Sequence, residues 1–289
     1  MMMSKVFCAA LALAALSGAS AADGEFTYEA NGLDWDEVAE MCGTGMEQSP
    51  IDVKTSVAVD AGTHESGRGL TTFSEGDIIF TDVSLENTGH GLNTNFFVSD
   101  FGAVLETPEG PQSLNPLQFH WHSPSEHSID GVIFPLEVHL VTTTNVTGDL
   151  AVIGVMYKYG EANPLLEKLW PAEAEDFAFR IKGEEYAEDQ AHLHEKGATA
   201  DIPTDIDVMK DLFPADGNWD YWAYKGSLTT PPCSEGVYWH LMKEPVTATV
   251  DQVINFQNVL SETSDGIRTN NRAPQPLNGR EIVSFHSDE

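Results

Sequence analysis

The sequence predicts a mainly β fold, a β-dominated α+β single domain with short helices at its periphery. Many segments alternate polar and apolar residues between turn signals, which is typical of strands, and few stretches keep a helical period. The chain shows no internal repeat and no long linker, and its 41% hydrophobic content is sufficient for a packed core. The clearest strand candidates are residues 77–83, 93–98, 136–141, 150–157 and 236–241.

Two segments favour helices. Residues 164–170 follow Asn163, a residue type suited to the N-cap, and residues 249–261 place apolar side chains at helical spacing. Residues 173–207 are charged and irregular, which predicts a surface insertion, and the acidic segment ending at Gly45 is expected to wrap the surface. The apolar positions of the second helix are Val250, Val253, Ile254 and Val259.

The N-terminus has the pattern of a secretory leader. Lys5 precedes an apolar run at residues 6–16, and small residues at 19–21 offer a cleavage site. The run is too short for a bilayer, which needs roughly 20 residues, and no later segment is apolar enough to span one. We predict a signal peptide at residues 1–22 and an exported domain at residues 23–289, in the extracellular space, a periplasm or an organelle lumen. An uncleaved anchor or a buried helix is the alternative.

Removal of the leader takes Cys8 and leaves two cysteines, Cys42 and Cys233. An even pair in an exported protein suggests one disulfide, and two separate buried thiols are the alternative. The bond would close a loop of about 190 residues and contribute about 4 to 5 kcal/mol in the chain-entropy relation. Asn145 begins an Asn-Val-Thr sequon, so it is a possible glycosylation site if the host is eukaryotic.

The chain is strongly acidic. Asp and Glu total 46 against 14 Lys and Arg, so the formal net charge is −32 at pH 7. This charge argues against nucleic acids and anionic membranes as partners. It suits a heavily solvated surface in saline surroundings or, alternatively, a calcium- or mineral-binding surface, although the sequence contains no EF-hand loop pattern.

Two histidines at strand spacing form the most informative motif. In residues 117–122 the alternation of a strand puts His120 and His122 on one face with Gln118, the histidine Cα atoms about 6.5 to 7 Å apart. The two aromatic residues between them then point into the core. Imidazoles at this spacing can share a metal ion at about 2.0 to 2.1 Å from each nitrogen.

A second strand candidate, residues 135–141, puts Glu137 and His139 on one face. The connection between the two strands contains Asp130-Gly131, a hairpin turn signal, and antiparallel pairing would bring His139 to the first two histidines. Three histidines leave a fourth tetrahedral position for water, which is the mark of a catalytic rather than a structural zinc site.

Metal-bound imidazoles usually donate their other N–H group to an oxygen acceptor. Gln118 is placed to serve His120, and Glu137 is placed to serve His139. The same two-histidine spacing recurs in His192-Leu193-His194, but charged residues surround it and no alternating strand supports it. We interpret that second motif as a surface loop.

Further motifs flank the histidine block, in order along the chain from about Tyr28 to Phe285. They are Gln48-Ser49-Pro50-Ile51-Asp52, Asn87-Thr88-Gly89-His90, Gly226-Ser227-Leu228-Thr229-Thr230-Pro231-Pro232 and Gln275-Pro276-Leu277. Together with the block, these motifs resemble those of the alpha-class carbonic anhydrases over nearly the whole mature chain.

The resemblance implies reversible hydration of carbon dioxide to bicarbonate through zinc-bound hydroxide. It implies a central twisted, mostly antiparallel sheet of about ten strands. It also implies Zn²⁺ as cofactor on His120, His122 and His139, with the backbone carbonyl of Asn270 orienting His122. Carbon dioxide and bicarbonate would be the small-molecule partners.

The resemblance also implies roles outside the metal ligands. Thr229 would accept a hydrogen bond from the hydroxide, Glu126 would accept the proton of Thr229, and His90 would relay protons to buffer. Taken singly, Thr229 would be a turn residue, Glu126 a solvated loop charge and His90 a surface histidine. The implied water chain involves Tyr28, Thr88 and Asn93, and the implied carbon dioxide pocket involves Val141, Val152, Leu228, Thr230 and Trp239.

Cys42 and Cys233 match the disulfide pair of exported family members. Two features depart from the family: Thr88 stands where many relatives carry asparagine, and residues 173–207 are longer and more acidic than usual. Two other functions compete, an acidic extracellular matrix or mineral-binding protein on the same scaffold and a zinc hydrolase acting on esters. The intact histidine triad favours catalysis, and the narrow apolar pocket argues against large esters.

Overall fold

The computed structural model confirms the mainly β architecture in the part of the chain that it describes. The predicted leader, the motif at residues 192–194 and residues 173–195 of the predicted insertion lie outside that part. None of the described helices has the length and apolar character needed to cross a membrane. The described ranges are 25–63, 69–72, 78–99, 101–169, 196–214, 219–264 and 266–286.

Strands dominate the described residues, and the helices are short except for the last. The strands are β1 (Asp52–Val53), β2 (Val59–Thr63), β3 (Gly69–Thr72), β4 (Ile79–Asn87), β5 (Leu92–Phe97), β6 (Val104–Thr107), β7 (Gly110–His122), β8 (Ser128–Ile129), β9 (Val132–Ile133), β10 (Leu136–Thr144), β11 (Leu150–Tyr159), β12 (Thr199–Asp201), β13 (Ile206–Asp207), β14 (Tyr221–Ser227), β15 (Glu235–Met242), β16 (Val246–Ala248) and β17 (Val283–His286). The helices are α1 (Glu40–Thr44), α2 (Pro164–Leu169), α3 (Val208–Asp211) and α4 (Val250–Thr263), with 3-10 turns at Trp35–Glu37 and Thr55–Val57.

The main sheet runs through ten strands in the order β12-β4-β5-β7-β10-β11-β15-β14-β17-β2. Neighbours along this path are antiparallel except β11 with β15 and β17 with β2, which are parallel. The predicted sheet of about ten mostly antiparallel strands is therefore confirmed. A small sheet of β1, β8 and β9 lies apart. In it β8 and β9 form a hairpin, joined by the Asp130-Gly131 turn, whose two residues are both at positive φ.

Part of the predicted irregular insertion is regular, which corrects the expectation for residues 196–207. β12 pairs antiparallel with β4, and the amide of Gly197 donates to the Asn87 carbonyl at 2.7 Å. The next strand, β13, also pairs with β4. The composition of these short polar segments does not indicate strands. They form strands because the edge of β4 offers backbone N–H and C=O groups that need hydrogen-bond partners.

The two strands that carry the predicted metal ligands have one apolar face. Phe119 and Trp121 of β7 are buried beside Val138 and Leu140 of β10, and these four side chains belong to the main core. Full burial of each such side chain contributes roughly 1.5 to 3 kcal/mol. A slip of one residue in either strand would expose that face, so the hydrophobic pattern fixes the register.

The starts of α2 and α4 are set by their capping residues. The side-chain oxygen of Asn163 accepts from the amides of Leu165 at 3.0 Å and Leu166 at 3.1 Å, as predicted for an N-cap. Thr249 and Gln252 form a reciprocal capping box at α4, with distances of 3.2 and 3.1 Å. Gln252 also donates to the Asn163 carbonyl at 2.9 Å, which ties the two helix starts together.

The buried face of α4 differs from the predicted one at two positions. Val250 is 53% exposed and Ile254 is 43% exposed, because the helix turns these positions away from the sheet. The face that packs on the core is formed by Val253, Phe256, Val259 and Leu260.

A disulfide joins Cys42 of α1 to Cys233, with their Cα atoms 5.1 Å apart, and this confirms the predicted pairing. The segment before β1 also packs inward, since Trp35 is 1% exposed. The buried guanidinium of Arg272 donates to the carbonyls of Cys42 at 2.8 Å and Ser49 at 2.7 Å. The N-terminal segment is thus held to the core by one covalent bond and one buried cation.

A buried histidine in β15 makes stability depend on pH. His240 is 2% exposed, and its Nδ1 has no hydrogen-bond partner among the described residues. Burial lowers the pKa of His240 to about 4, although a hydrogen bond to the Val152 backbone raises it. Because the unfolded chain takes up this proton near pH 6.5, the unfolded state binds more protons than the folded state between pH 6.5 and 4. The stability associated with a neutral His240 is full above about pH 6.5 and is lost as the pH falls.

As the pH falls from 7 to 4, the free energy of unfolding should decrease in both proteins. We expect the decrease to be about 3 kcal/mol smaller for His240→Gln than for the wild type. Glutamine has no proton to take up, and its amide can still donate to the Val152 carbonyl. The measurement is urea unfolding of both proteins across this pH range. The remaining histidines are common to both, so an equal acid-induced loss in the two proteins would contradict the prediction.

Candidate metal centre

Three histidine side chains converge near the middle of the main sheet. The antiparallel register of β7 and β10 sets His139 directly opposite His120, and His122 follows two residues later on β7. One ring nitrogen from each histidine lies within 4.8 Å of those of the other two. Strand alternation and register thus bring together the three residues that the sequence predicts as ligands.

Each of the three rings has its outer nitrogen held by an oxygen acceptor. Because amide, carbonyl and carboxylate oxygens accept, that nitrogen carries the hydrogen, and the inner nitrogen presents its lone pair. Gln118, Asn270 and Glu137 therefore occupy the positions expected from the sequence. The contacts are His120 Nδ1 to Gln118 Oε1 at 2.8 Å, His122 Nδ1 to the Asn270 carbonyl at 2.6 Å, and His139 Nε2 to Glu137 Oε1 at 2.7 Å.

Two buried polar atoms beside the rings lack partners. His122 Nε2 and Glu126 Oε2 lie 3.4 Å apart, and neither has a hydrogen-bond partner among the described residues. An orphaned buried group costs about 1 to 3 kcal/mol unless something binds it. Three neutral imidazoles are a donor set used by catalytic zinc sites. The residues present therefore fit a zinc ion.

Burial keeps two of these imidazoles in the form that binds metal. Burial lowers the pKa of His120 well below its ordinary value, and the neighbouring His122 and His139 lower it further against the effect of Glu137. Burial also lowers the pKa of His122 to about 4, although the hydrogen bond to Asn270 raises it. Since only neutral imidazole binds a metal, His120 and His122 need no deprotonation step at neutral pH.

The acceptor of His139 is itself fully satisfied. Burial alone would raise the pKa of Glu137, but the adjacent His127 and His139 hold it well below its ordinary value. Its Oε2 accepts from the amides of Glu126 and His127, each at 2.8 Å. This makes Glu137 a fixed negative charge behind the metal centre, which favours a bound cation.

A buried chain of hydrogen bonds behind Glu137 was not predicted. His127 Nδ1 contacts Glu137 Oε1 at 2.7 Å, and its Nε2 contacts the Tyr224 hydroxyl at 2.6 Å. The Tyr224 hydroxyl in turn contacts Ser49 Oγ at 2.8 Å. These residues lie far apart in the sequence, and the only local signal is that His127 directly follows Glu126, a residue that the resemblance singles out.

Gly154 makes room for His139 and for Glu137, which holds the His139 ring. It lies opposite His139 in the β10–β11 ladder. A Cβ atom at this position would lie 2.7 Å from the Leu241 side chain and 3.3 Å from Glu137 Oε1. Any larger residue would therefore press on the carboxylate that holds the third ligand.

Glu126 also lies beside the histidines, its Oε2 3.4 Å from His122 Nε2, but it has a different character. Burial raises its pKa to about 7, while nearby His139, the Arg272 amide and the Thr229 hydroxyl lower it. Its Oε1 accepts from the Arg272 amide at 2.9 Å. Thr229 lines the cavity in front of the histidines, and its hydroxyl is close enough to Glu126 to lower the pKa of that carboxyl.

The histidines open into a cavity of about 420 Å³. One wall is apolar because of the strand register: Val141 of β10 is opposite Val152 of β11, which is opposite Trp239 of β15. All three side chains are at most 6% exposed. Leu228 and Thr230 also line this cavity, so the five residues predicted for the carbon dioxide pocket lie together.

The predicted shuttle lies in the same cavity, on a polar wall with Tyr28, Thr88 and Asn93. His90 is half-buried, and its amide donates to Thr88 Oγ1 at 3.3 Å. Its ring stacks on Phe26, with centroids 3.8 Å apart and planes 20° apart, a contact that the sequence did not reveal. Burial and the nearby cation of Lys196 lower the pKa of His90.

The structure matches known proteins over most of its length. A family profile described as eukaryotic-type carbonic anhydrase matches residues 30–286. The chain belongs to this family. A carbonic anhydrase of Pectobacterium carotovorum is 35% identical over 280 residues, which are 95% of this chain and 97% of the relative. A carbonic anhydrase of Dunaliella salina is 34% identical over 275 residues, 91% of this chain, and the enzyme spans 45% of that relative's length.

Solved structures of carbonic anhydrases resemble the enzyme closely. A halotolerant carbonic anhydrase from Dunaliella salina gives a TM-score of 0.75 at 29% identity, covering 91% of this chain and 98% of the other. The alpha-carbonic anhydrase of Thermovibrio ammonificans, in complex with the inhibitor sulfanilamide, gives 0.68 at 32% identity, covering 90% and 98%.

The comparisons confirm the predicted enzyme class. Enzymes of this family hydrate carbon dioxide and are in general zinc-dependent. They give no support to the alternative of an acidic matrix or mineral-binding protein. The roles assigned to individual residues, including glycosylation of the exposed Asn145, stay predictions.

Proposed function

We propose that the enzyme is an exported zinc carbonic anhydrase that interconverts carbon dioxide and bicarbonate, with residues 1–22 as signal peptide and residues 23–289 as the mature domain. The observation that carries this proposal is the convergence of three imidazoles whose outer nitrogens are all held by acceptors. The Cys42–Cys233 disulfide supports export, because such bonds persist in oxidising compartments.

The metal would be held by the inner nitrogens, Nε2 of His120 and His122 and Nδ1 of His139. Zinc bound in this way is known in carbonic anhydrases to lower the pKa of a water molecule to about 7 and so to supply a nucleophile at neutral pH. The fixed charge of Glu137 and the carbonyl of Asn270 would keep two of the rings oriented.

The apolar wall would hold carbon dioxide. A neutral, non-polar molecule gains from contact with Val141, Val152 and Trp239, while water gains nothing there. Leu228 and Thr230 would close the same pocket. The wall thus keeps the substrate beside the three histidines and excludes competing water.

Thr229 and Glu126 would orient the reacting water. If the Thr229 hydroxyl donates its only proton to Glu126, its oxygen must act as an acceptor towards the cavity. A water that donates to Thr229 has a lone pair directed at the substrate. Arg272 supports this arrangement, since its amide fixes Glu126 and its guanidinium is anchored to Cys42 and Ser49.

His90 would carry the released proton out of the cavity. Its half-buried side chain lines the cavity, and Tyr28, Thr88 and Asn93, which line the same cavity, would hold the water chain between His90 and the histidine triad. An imidazole titrates near neutral pH and can accept a proton from water and pass it to buffer. The stack on Phe26 holds the ring in place.

We expect His90→Ala to lower kcat for carbon dioxide hydration about tenfold or more in dilute buffer, because proton release loses its relay. The expected effect on kcat/KM is small, since this residue does not contact the reacting carbon. The measurement is stopped-flow hydration in dilute and concentrated buffer. Added imidazole should restore the variant, and an unchanged kcat in dilute buffer would refute the relay.

The proposed function is tested by zinc content and hydration rate together. The purified enzyme is expected to bind one zinc per chain and to lose activity when a chelator removes it, with recovery on adding zinc. Ester hydrolysis measured in parallel decides between carbon dioxide hydration and ester hydrolysis as the main reaction. The narrow cavity predicts a far lower kcat/KM for esters than for carbon dioxide. Full hydration activity at zero metal would overturn the proposal.

A further inference from the structure

The tight turn between β10 and β11 places a carboxylate at the cavity that holds the three histidines. Asp149 is the last residue of this turn, and it lines the cavity together with the next residue, Leu150. Leu150 is buried and continues the apolar wall, whereas Asp149 is partly exposed. Neither the metal ligands nor the proton relay uses this carboxylate.

Hydrogen bonds fix Asp149 in place. Its Oδ2 accepts from the Thr147 hydroxyl at 2.6 Å, and its amide donates to Thr144 Oγ1 at 2.9 Å. The Thr144 amide donates back to the Asp149 carbonyl at 2.9 Å. These hydrogen bonds therefore hold the carboxylate at one position.

A second carboxylate lines the same cavity and is also fixed. Glu235 Oε1 accepts from the Glu47 amide at 2.7 Å and from Gln48 Nε2 at 3.1 Å. Among the described residues, those lining the cavity include no lysine and no arginine. The cations near this lining include Lys196, which packs against Gly89 and acts on His90, and Arg280, which partly offsets the charge of Glu235.

We propose that Asp149, reinforced by Glu235, is a specificity-determining residue that weakens the binding of anions in the cavity while leaving neutral carbon dioxide unaffected. The anions are the product bicarbonate and monovalent inhibitors such as iodide. This inference rests on the proposed function, because it concerns the ligands of the same site.

The physical basis is field focusing in a cleft. Charges of one sign at the rim of an apolar-walled cavity act more strongly on an entering ion than the same charges on an open surface. The chain has a net charge of −32, so the surrounding surface adds to the effect instead of cancelling it. A neutral substrate feels no such penalty, and a negatively charged product leaves faster.

The test compares Asp149→Asn with Asp82→Asn. Both changes remove one negative charge, and Asp82 is exposed on β4 and is not among the cavity-lining residues. Asparagine can still accept from Thr147, so the turn is preserved. Iodide binding is measured by visible absorption of the cobalt(II)-loaded enzymes, at low ionic strength set with sodium sulfate.

We expect iodide to bind Asp149→Asn about three- to tenfold more tightly than Asp82→Asn at low ionic strength. The ratio should shrink towards one in concentrated sulfate because salt screens the charge, and a purely structural effect would not shrink. The charge-reversing Asp149→Lys should bind iodide more tightly still. Equal iodide affinity in the three variants would overturn the inference alone. Failure of the wild type to bind one cobalt would overturn the proposed metal centre and the inference with it.

Discussion

Replacing His122 with alanine is expected to remove the bound zinc and to lower kcat/KM for carbon dioxide hydration by more than about a thousandfold. The two remaining imidazoles supply too few donors, and the Asn270 carbonyl loses the N–H group that it accepts at 2.6 Å. The measurements are zinc content by elemental analysis and stopped-flow hydration at neutral pH. Excess zinc should not restore the rate.

The matched control for this change is His286→Ala. His286 is an exposed histidine at the end of β17, and it is not among the residues that line the cavity. We expect the control to keep one zinc per chain and a rate within about twofold of the wild type. A His122→Ala enzyme that keeps both its zinc and most of its rate would contradict the proposed ligand set.

Removing the disulfide is expected to give a large loss of stability. For a sequence separation of 191 residues, the chain-entropy relation gives about 5 kcal/mol. At about 2 to 4 °C per kcal/mol for a domain of this size, the melting temperature should fall by about 10 °C or more. The double variant Cys42→Ser/Cys233→Ser is compared with the wild type by urea and thermal unfolding, both with equal excess zinc.

The same bond supports the turn that follows Thr229 and Thr230, so its removal should also lower the hydration activity. The Cys233 amide donates to the Thr230 carbonyl at 2.8 Å, and Gln48 Nε2 donates to the Cys233 carbonyl at 3.0 Å. Wild type treated with a reductant serves as a second route to the same state and should unfold like the double variant. Unfolding free energies within about 1 kcal/mol of each other, with and without the bond, would refute the prediction.

The histidine triad could be predicted from the sequence because its geometry is local. His120 and His122 are related by the two-residue period of a strand, and His139 lies on the neighbouring strand, opposite His120. The apolar residues that alternate with them fix the register. The acceptors Gln118 and Glu137 follow from the same alternation.

The hydrogen-bond chain behind Glu137 could not be predicted, because its contacts join distant parts of the chain. Tyr224 reaches Ser49 across 175 residues and His127 across 97. No local pattern marks such partners, since each is an ordinary strand or loop residue until the sheet order is known. The same reason applies to β12, whose polar sequence becomes a strand only because the edge of β4 is beside it.

The contact between His122 and the Asn270 carbonyl has a consequence for biosynthesis. The two residues are separated by 148 positions. A ribosome makes His122 long before it makes Asn270, so the His122 ring lacks its orienting acceptor while the residues between them are synthesised. The final orientation of this ring is therefore reached only after Asn270 has been added to the chain.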